Sequence, residues 1–433
     1  MDPQAVGMLG IALLFLLLLI GTPIGFALAA VGFCGVSWIT SFSVALPTLA
    51  RAFYGTFTAY AFTVIPLFVL MGELASAAGL SKGIYDVADK WLRRLPGGLG
   101  IATIGACAGF SAICGSSVAT AATLGRVALP EMKRFGYAAP IATGTVAAGG
   151  TLGFLIPPSL GFVVYGILTE QSIGKLLVSG FLPGFLLAGA YIAVIMIWVR
   201  LRPSTAPSSP EPVPLREKLR ALSRIWELLA AFLLVMGGIY FGIFTPTEAG
   251  AVGAFFLFVV AGCRRRLTLP VIIAALTATV KVSVMIFCIL AGAYVFTYFM
   301  ALTLIPMTLA AWLGGLPFSP YLILAIILAG YLVLGCFLDA TSMMVLTLPV
   351  IFPTILTLGF HPVWFGVISV LMMEAGLITP PLGLNIFVIA GVAEVPMETV
   401  FRGGLPFLAA IFLVVAMVTI FPGIALFLPG LMH

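Results

Sequence analysis

Gly149-Gly150-Thr151-Leu152-Gly153-Phe154-Leu155-Ile156-Pro157-Pro158-Ser159 and Glu374-Ala375-Gly376-Leu377-Ile378-Thr379-Pro380-Pro381-Leu382-Gly383-Leu384-Asn385 each end an apolar run on a proline pair. Two consecutive prolines remove two backbone donors and clash with the preceding helical turn. The residue before each proline is pushed toward extended geometry. Both stretches therefore predict a helix that unwinds partway and resumes, over about 138–168 and again over about 361–391.

The two stretches are copies. Between residues 22 and 183 there are nine prolines, and six of them (Pro23, Pro47, Pro130, Pro157, Pro158, Pro183) have a proline 223 positions on (Pro246, Pro270, Pro353, Pro380, Pro381, Pro406). With 29 prolines in 433 residues, chance predicts less than one such match. Thr22/Thr245, Gly136/Gly359, Gly153/Gly376 and Gly180/Gly403 keep the register. The chain divides into a first repeat over 1–199, a connection over 200–225 and a second repeat over 226–433. Internal repeats containing interrupted helices mark secondary transporters.

Composition places the chain in a membrane. It is 62% hydrophobic and 8% charged, with mean hydropathy +1.25, against about 25% charged in average soluble domains. Runs such as Met8–Ile20, Phe181–Val199 and Ala409–Phe427, with their flanks, suit spans of about 20 residues across ~30 Å of hydrocarbon. Met1–Gly7 carries Asp2 and no positive charge, so the first run reads as a retained helix rather than a signal peptide. The net charge of +6 resides at predicted helix ends and gives no indication of nucleic acid. The six cysteines lie in apolar surroundings without CxxC spacing and read as small core residues. His361 and His433 are the only histidines, which argues against a transition-metal site. No GxxxxGK[ST] loop and no nucleophile–base pair appears, so an ATPase or another enzyme is not expected.

The loops orient the repeats. Trp91-Leu92-Arg93-Arg94-Leu95-Pro96 corresponds to Trp312-Leu313-Gly314-Gly315-Leu316-Pro317, and Pro130-Glu131-Met132-Lys133-Arg134-Phe135-Gly136 to Pro353-Thr354-Ile355-Leu356-Thr357-Leu358-Gly359. Both lose their basic residues in copy two. Cytoplasmic loops hold the Lys/Arg excess, so the repeats are expected to be inverted. Loops 91–98 and 131–137 are both basic and belong on one side. The 33 residues of 98–130 are too few for two full spans. A re-entrant hairpin is expected there, with its tip near Cys114-Gly115-Ser116-Ser117. Its counterpart, about 318–352, has its tip near Leu338-Asp339-Ala340-Thr341-Ser342, where Asp339 is the repeat equivalent of Ser116. The stretch 200–225, with Arg216, Lys218, Arg220 and Arg224, reads as a cytoplasmic connection, and crossings counted back from it put the N-terminus in the periplasm. Residues 81–95 and 267–281 read as interfacial helices or helix extensions. The expected fold class is thus an all-α polytopic membrane protein of two inverted structural repeats, each with a re-entrant hairpin and a discontinuous helix.

Unwound backbone inside a membrane leaves carbonyls without partners, which lipid does not supply. Hairpin tips expose carbonyls of one helix and amides of the next. Hydroxyls of Ser116, Ser117 and Thr120, and Asp339, Thr341 and Ser342 in copy two, add oxygen. An all-oxygen set suits a hard alkali cation, and helix N-termini beside it suit an anion. Asp339 costs roughly 2.5–3.5 kcal/mol at mid-membrane on insertion scales, so a functional role is its default. Glu374 reads as a partner for a freed amide or a cation. The interior has little else for a proton relay beyond Glu73, so Na⁺ is favoured over H⁺, one site per copy with an organic anion between them.

Gly376-Leu377-Ile378-Thr379-Pro380-Pro381-Leu382-Gly383-Leu384-Asn385 closely resembles the signature of the DctM-type large membrane subunit of tripartite ATP-independent periplasmic (TRAP) transporters, within the ion-transporter superfamily. Gly153-Phe154-Leu155-Ile156-Pro157-Pro158-Ser159, Phe110-Ser111-Ala112-Ile113-Cys114-Gly115-Ser116-Ser117 and Phe337-Leu338-Asp339 resemble it too, and the resemblance covers nearly the whole chain. It implies a Na⁺-coupled elevator in a bacterial inner membrane. A domain holding both hairpins and both broken helices would slide against a scaffold. Implied partners are a small DctQ-type membrane subunit, expected on a separate chain, and a periplasmic DctP-type binding protein that delivers a small carboxylate. No cofactor is implied beyond Na⁺ as coupling ion. Mapped onto this chain, the resemblance nominates Ser116, Ser117, Thr151, Gly153, Pro157, Asp339, Thr341, Gly376, Thr379 and Pro380 for the cation. The helix N-termini at the same tips and breaks make Gly115, Thr120, Pro158, Ser159, Ser342, Pro381 and Asn385 the substrate candidates. Rival readings are a standalone Na⁺/carboxylate symporter or exchanger of the same superfamily, needing no binding protein, and a channel.

Overall fold

Two proline pairs and two turns in the middle of apolar sequence dictate most of the architecture. The structure, a computed structural model, describes residues 2–207, 213–223, 225–315 and 317–432. Arg224 and 208–212 of the connection, and Leu316 of the copy-two loop, lie outside the described residues. Among the described residues all regular structure is helical.

Copy one runs α1 (Pro3–Leu19), α2 (Ile24–Ile39), α3 (Phe42–Thr58), α4 (Val64–Ala77) and α5 (Leu80–Leu92). A hairpin of α6 (Gly98–Cys114) and α7 (Ser117–Arg134) follows, then a broken helix, α8 (Ala139–Thr151) and α9 (Leu160–Thr169), and finally α10 (Ile173–Ser179) and α11 (Phe181–Leu201). The connection forms α12 (Leu215–Leu222). Copy two runs α13 (Trp226–Phe232), a π turn (Leu233–Gly237), α14 (Gly238–Tyr240), α15 (Pro246–Cys263), α16 (Leu269–Thr303) and α17 (Ile305–Gly314). Its hairpin is α18 (Pro320–Gly335) and α19 (Ala340–Thr357), its broken helix α20 (Pro362–Gly376) and α21 (Leu384–Ala393), and it closes with α22 (Met397–Ile420) and α23 (Gly423–Gly430). The offset of 223 carries the first residue of α7 onto that of α19, and that of α8 onto that of α20.

Among the described residues, six helical stretches are long and apolar enough to cross a membrane. Most of the remaining apolar helices have 10–17 residues because the tips and proline breaks divide them. Of the stretch 267–281, residues 269–281 are a helix extension, the first turns of the 35-residue α16. The stretch 131–137 is not wholly a loop: α7 continues through Arg134 with Pro130 inside it, and Gly136 turns the chain at φ 76°. Lys133 and Arg134 occupy its last turn, where the helix dipole favours cations.

Both hairpins begin and end at one level. The Arg93 guanidinium lies 5.8 Å from the centre of the Phe135 ring, and the Tyr137 hydroxyl accepts from Leu99 N at 3.2 Å. In copy two, Tyr321 and Phe360 pack edge to face at 5.5 Å. The broken helices run in opposite directions. Tyr165, late in α9, donates to Pro362 O at the start of α20 (2.7 Å), while Val392–Val395, at the end of α21, line a cavity with Pro130, Tyr137 and Ala139 at the start of α8. The repeats are therefore antiparallel.

Basic helix ends gather at the level where α8 starts. Ala138 N donates to Thr205 O (2.8 Å), and Trp91 Nε1 to Lys218 O (3.3 Å). Arg264 ties Glu227 (2.7 Å) to the carbonyl of Ala78 (3.2 Å). Small residues let helices cross closely. A Cβ on Gly403 would lie 1.9 Å from Pro140 O, and one on Gly292 2.2 Å from Gly25 O. Gly403→Ala is expected to destabilise by roughly 1–3 kcal/mol through overpacking. Gly189→Ala, with nothing within 4 Å, should be neutral or slightly stabilising. Melting of the detergent-purified protein checks the pair.

Candidate functional site

Each hairpin tip is docked against the break of its own copy. In copy one the chain turns at Gly115 (φ 65°), Ser116 caps α7, and the freed carbonyl of Gly115 accepts from Leu160 N (3.2 Å), the first helical amide beyond the proline pair. In copy two, Cys336 O accepts from Gly383 N at 3.2 Å. Residues 160 and 383 are repeat equivalents, and although the acceptors are offset by two residues, each is the C-cap of the first hairpin helix. Both proline pairs are joined by cis peptide bonds.

Glycines make this approach possible. A Cβ on Gly153 would sit 2.5 Å from Ser116 O and 2.7 Å from Thr120 Oγ1, and one on Gly376 2.5 Å from the Cα of Gly335. A Cβ on Gly115 would meet Pro158 O at 2.8 Å. Ser116, Thr120, Gly153, Gly115 and Pro158 are thus brought together at the copy-one junction.

The other nominated residues fall as follows. Ser159 caps α9, accepting from Phe162 N at 3.4 Å and donating to Phe154 O. Thr151 donates to Ala148 O (2.6 Å) and pairs with the Tyr191 hydroxyl (2.8 Å). Pro157, Pro158 and Ser159 are all buried. In copy two, Asp339 caps α19: its carboxylate accepts from Ser342 N (3.1 Å) and from the Ser342 hydroxyl. Thr341 and Ser342 are buried in the first turn of α19. Thr379 donates to Ala375 O (2.7 Å), and Pro380 O accepts from the Cys336 thiol (3.1 Å). Pro380, Pro381 and Leu382 are exposed, so the copy-two break is open where its copy-one equivalent is sealed.

The copies are also tied across. Asn385 Nδ2 donates to Ala147 O of α8 (3.3 Å), and Ser117 Oγ donates to Glu374 Oε1 (2.6 Å). Thr120 Oγ1, Asn385 Oδ1 and Glu374 Oε2 are buried without hydrogen-bond partners among the described residues. A buried oxygen without a protein partner marks a place that a water or an ion can fill. The contact of Glu374 with Ser117 was not legible in sequence, because no repeat offset relates the two residues.

An antiparallel helical repeat with two tip–break junctions defines a membrane transport protein rather than an enzyme. The family of the tripartite ATP-independent periplasmic transporter, DctM component, matches residues 11–424. The chain is 37% identical to a C4-dicarboxylate TRAP transporter large permease protein DctM of Pseudomonas aeruginosa, over 93% of this chain and 94% of that one. It is 32% identical to a sialic acid TRAP transporter large permease protein SiaM of Vibrio cholerae, over 96% of each. Among solved structures, the Alcanivorax borkumensis YdaH transporter superposes with TM-score 0.58 and 17% identity, over 88% of this chain and 89% of that one. The chain belongs to the DctM family and is a large permease subunit of a TRAP transporter.

The asymmetry of the breaks is open to test. In a cysteine-free background, Leu382→Cys (Leu382 is 48% exposed) should be labelled by a hydrophilic methanethiosulfonate, and Ser159→Cys (Ser159 is 1% exposed) should not. Mass spectrometry of the labelled protein reads the result.

Proposed function

We propose that this chain carries a small organic anion, a carboxylate, across a bacterial inner membrane, coupled to Na⁺. The observation that carries the proposal is the set of buried oxygens lacking partners, Thr120 Oγ1, Glu374 Oε2 and Asn385 Oδ1, together with the Asp339 carboxylate at the copy-two tip. Alkali cations favour such sets of carbonyl, hydroxyl and carboxylate oxygens. In copy one, Ser116, Ser117, Thr120 and the backbone around Gly153 and Pro157 would hold the ion. In copy two, Asp339 and the backbone around Gly376, Thr379 and Pro380 would do so, with Thr341 and Ser342 beside them. The N-termini of α7, α9, α19 and α21 offer amides and dipole to an anion between the junctions, near Pro158, Ser159, Pro381 and Asn385.

The family implies a small membrane subunit and a periplasmic binding protein. On this proposal they are of DctQ and DctP type, and the binding protein hands the anion over. The relatives named for a C4-dicarboxylate and for sialic acid support an acidic cargo. The hairpins re-enter from opposite faces, the basic helix ends face the cytoplasm, and the N-terminus lies in the periplasm. The two hairpins and broken helices move together against α2 and α16. Each Na⁺ entering gains about 2.3 kcal/mol per 100 mV, so two ions per anion suffice for strong accumulation.

Proteoliposomes containing this chain, its small subunit and its binding protein should accumulate labelled C4-dicarboxylate or sialic acid only under an inward Na⁺ gradient. Omitting the binding protein should abolish uptake. Uptake driven by a pH gradient without Na⁺ would sink the coupling assignment, and uptake by this chain alone would favour the standalone symporter.

A further inference from the structure

We infer that Glu374, a residue of copy two, positions the copy-one cation site and supplies its negative charge. The inference rests on the sodium reading of the junctions and adds to it a residue from the opposite repeat.

The offset of 223 pairs Thr151 with Glu374, Ser116 with Asp339, and Ser117 with Ala340. At the tips, copy two therefore has its own carboxylate and copy one has none. In the broken helices copy two again holds the carboxylate, but that carboxylate turns to the other copy. Thr151 uses its hydroxyl locally, on Ala148 O and Tyr191, whereas Glu374 reaches the other copy's tip and accepts from Ser117 Oγ at 2.6 Å. The reciprocal contact has no counterpart, because Ala340 carries no hydroxyl. The copy-two tip thus carries its own carboxylate, and the copy-one tip donates a hydrogen bond to the carboxylate of its neighbour.

The hydrogen bond has a direction that matters. A serine hydroxyl has one proton and two lone pairs. Aiming the Ser117 proton at Glu374 leaves its lone pairs free for a cation. Ser117 is 3% exposed and is followed one turn later by Thr120, whose unpartnered Oγ1 faces Gly153. Glu374 is 0% exposed, and its Oε2 has no partner. The ion pairs found among the described residues join other carboxylates, those of Asp86, Asp89, Glu131, Glu227 and Glu398. A buried carboxylate without a counter-charge is costly, and a cation beside Ser117 would provide one.

The test is Na⁺ binding to the purified full-length chain. It is read as Na⁺-dependent thermal stabilisation against choline and as ²²Na⁺ binding, neither of which needs transport. Glu374→Gln keeps the shape and removes the charge. It should raise half-saturating Na⁺ for one of the two sites at least tenfold, while Asp339→Asn weakens the other. Ser117→Ala should give a smaller shift, and the Glu374→Gln/Ser117→Ala double variant should shift half-saturation by less than the product of the two single fold-changes. Glu374→Asp, which restores the charge, should recover part of the affinity. It also stands in, with Ser117→Ala, if Glu374→Gln does not fold. A Glu374→Gln protein that melts lower in choline yet binds Na⁺ as the wild type does would overturn the inference and leave a structural carboxyl. A wild-type protein indifferent to Na⁺ would overturn the sodium reading itself, and this inference with it.

Discussion

A backbone amide or carbonyl inside a membrane has no water to turn to. The proline pairs at 157–158 and 380–381 release such groups in the middle of two helices, and the architecture follows from what must be done with them. The hairpin tips deliver the partners. Gly115 O meets Leu160 N, and Cys336 O meets Gly383 N, each at 3.2 Å. Two helix ends that would each be left incomplete are thereby completed by one another. The glycines at 115, 153, 335 and 376 are there because no Cβ fits at this separation.

Docking tip to break also decides what the junction can hold. Hydrogen bonding removes the backbone groups from play, and what is left is oxygen: Thr120 Oγ1, Asn385 Oδ1 and Glu374 Oε2. The fold thus concentrates negative and partly negative groups in a dry interior, where a cation is the natural complement and an anion can follow it. Cross-copy contacts from Ser117 to Glu374 and from Asn385 to Ala147 make the repeats one unit. Movement of the copy-two broken helix against the copy-one hairpin and broken helix would break both bonds.

Much of this was legible in the sequence because it is periodic. The proline register located both breaks, and the short basic-to-basic interval 98–130 called for a hairpin, which the structure closes through Arg93 and Phe135. The equivalence of Ser116 and Asp339 foretold their matching positions as helix N-caps. The end of α7 was misplaced because the basic stretch 131–137 was read as a loop, whereas the helix runs on through Arg134 with Pro130 accommodated inside it. Ser117–Glu374 and Asn385–Ala147 escaped notice for a different reason. They join residues 257 and 238 positions apart, which the repeat offset does not relate. The unequal exposure of the two breaks likewise depends on neighbours, since both carry the same proline pair.

The central claim is one cation site at each tip–break junction. Equilibrium ²²Na⁺ binding to the purified chain, compared with Gly153→Ala and Gly376→Ala, tests it most directly, since each added methyl intrudes on one junction alone. The account predicts two ions for the wild type and one for each variant. Full binding in both variants, or loss of all binding in either, would contradict it.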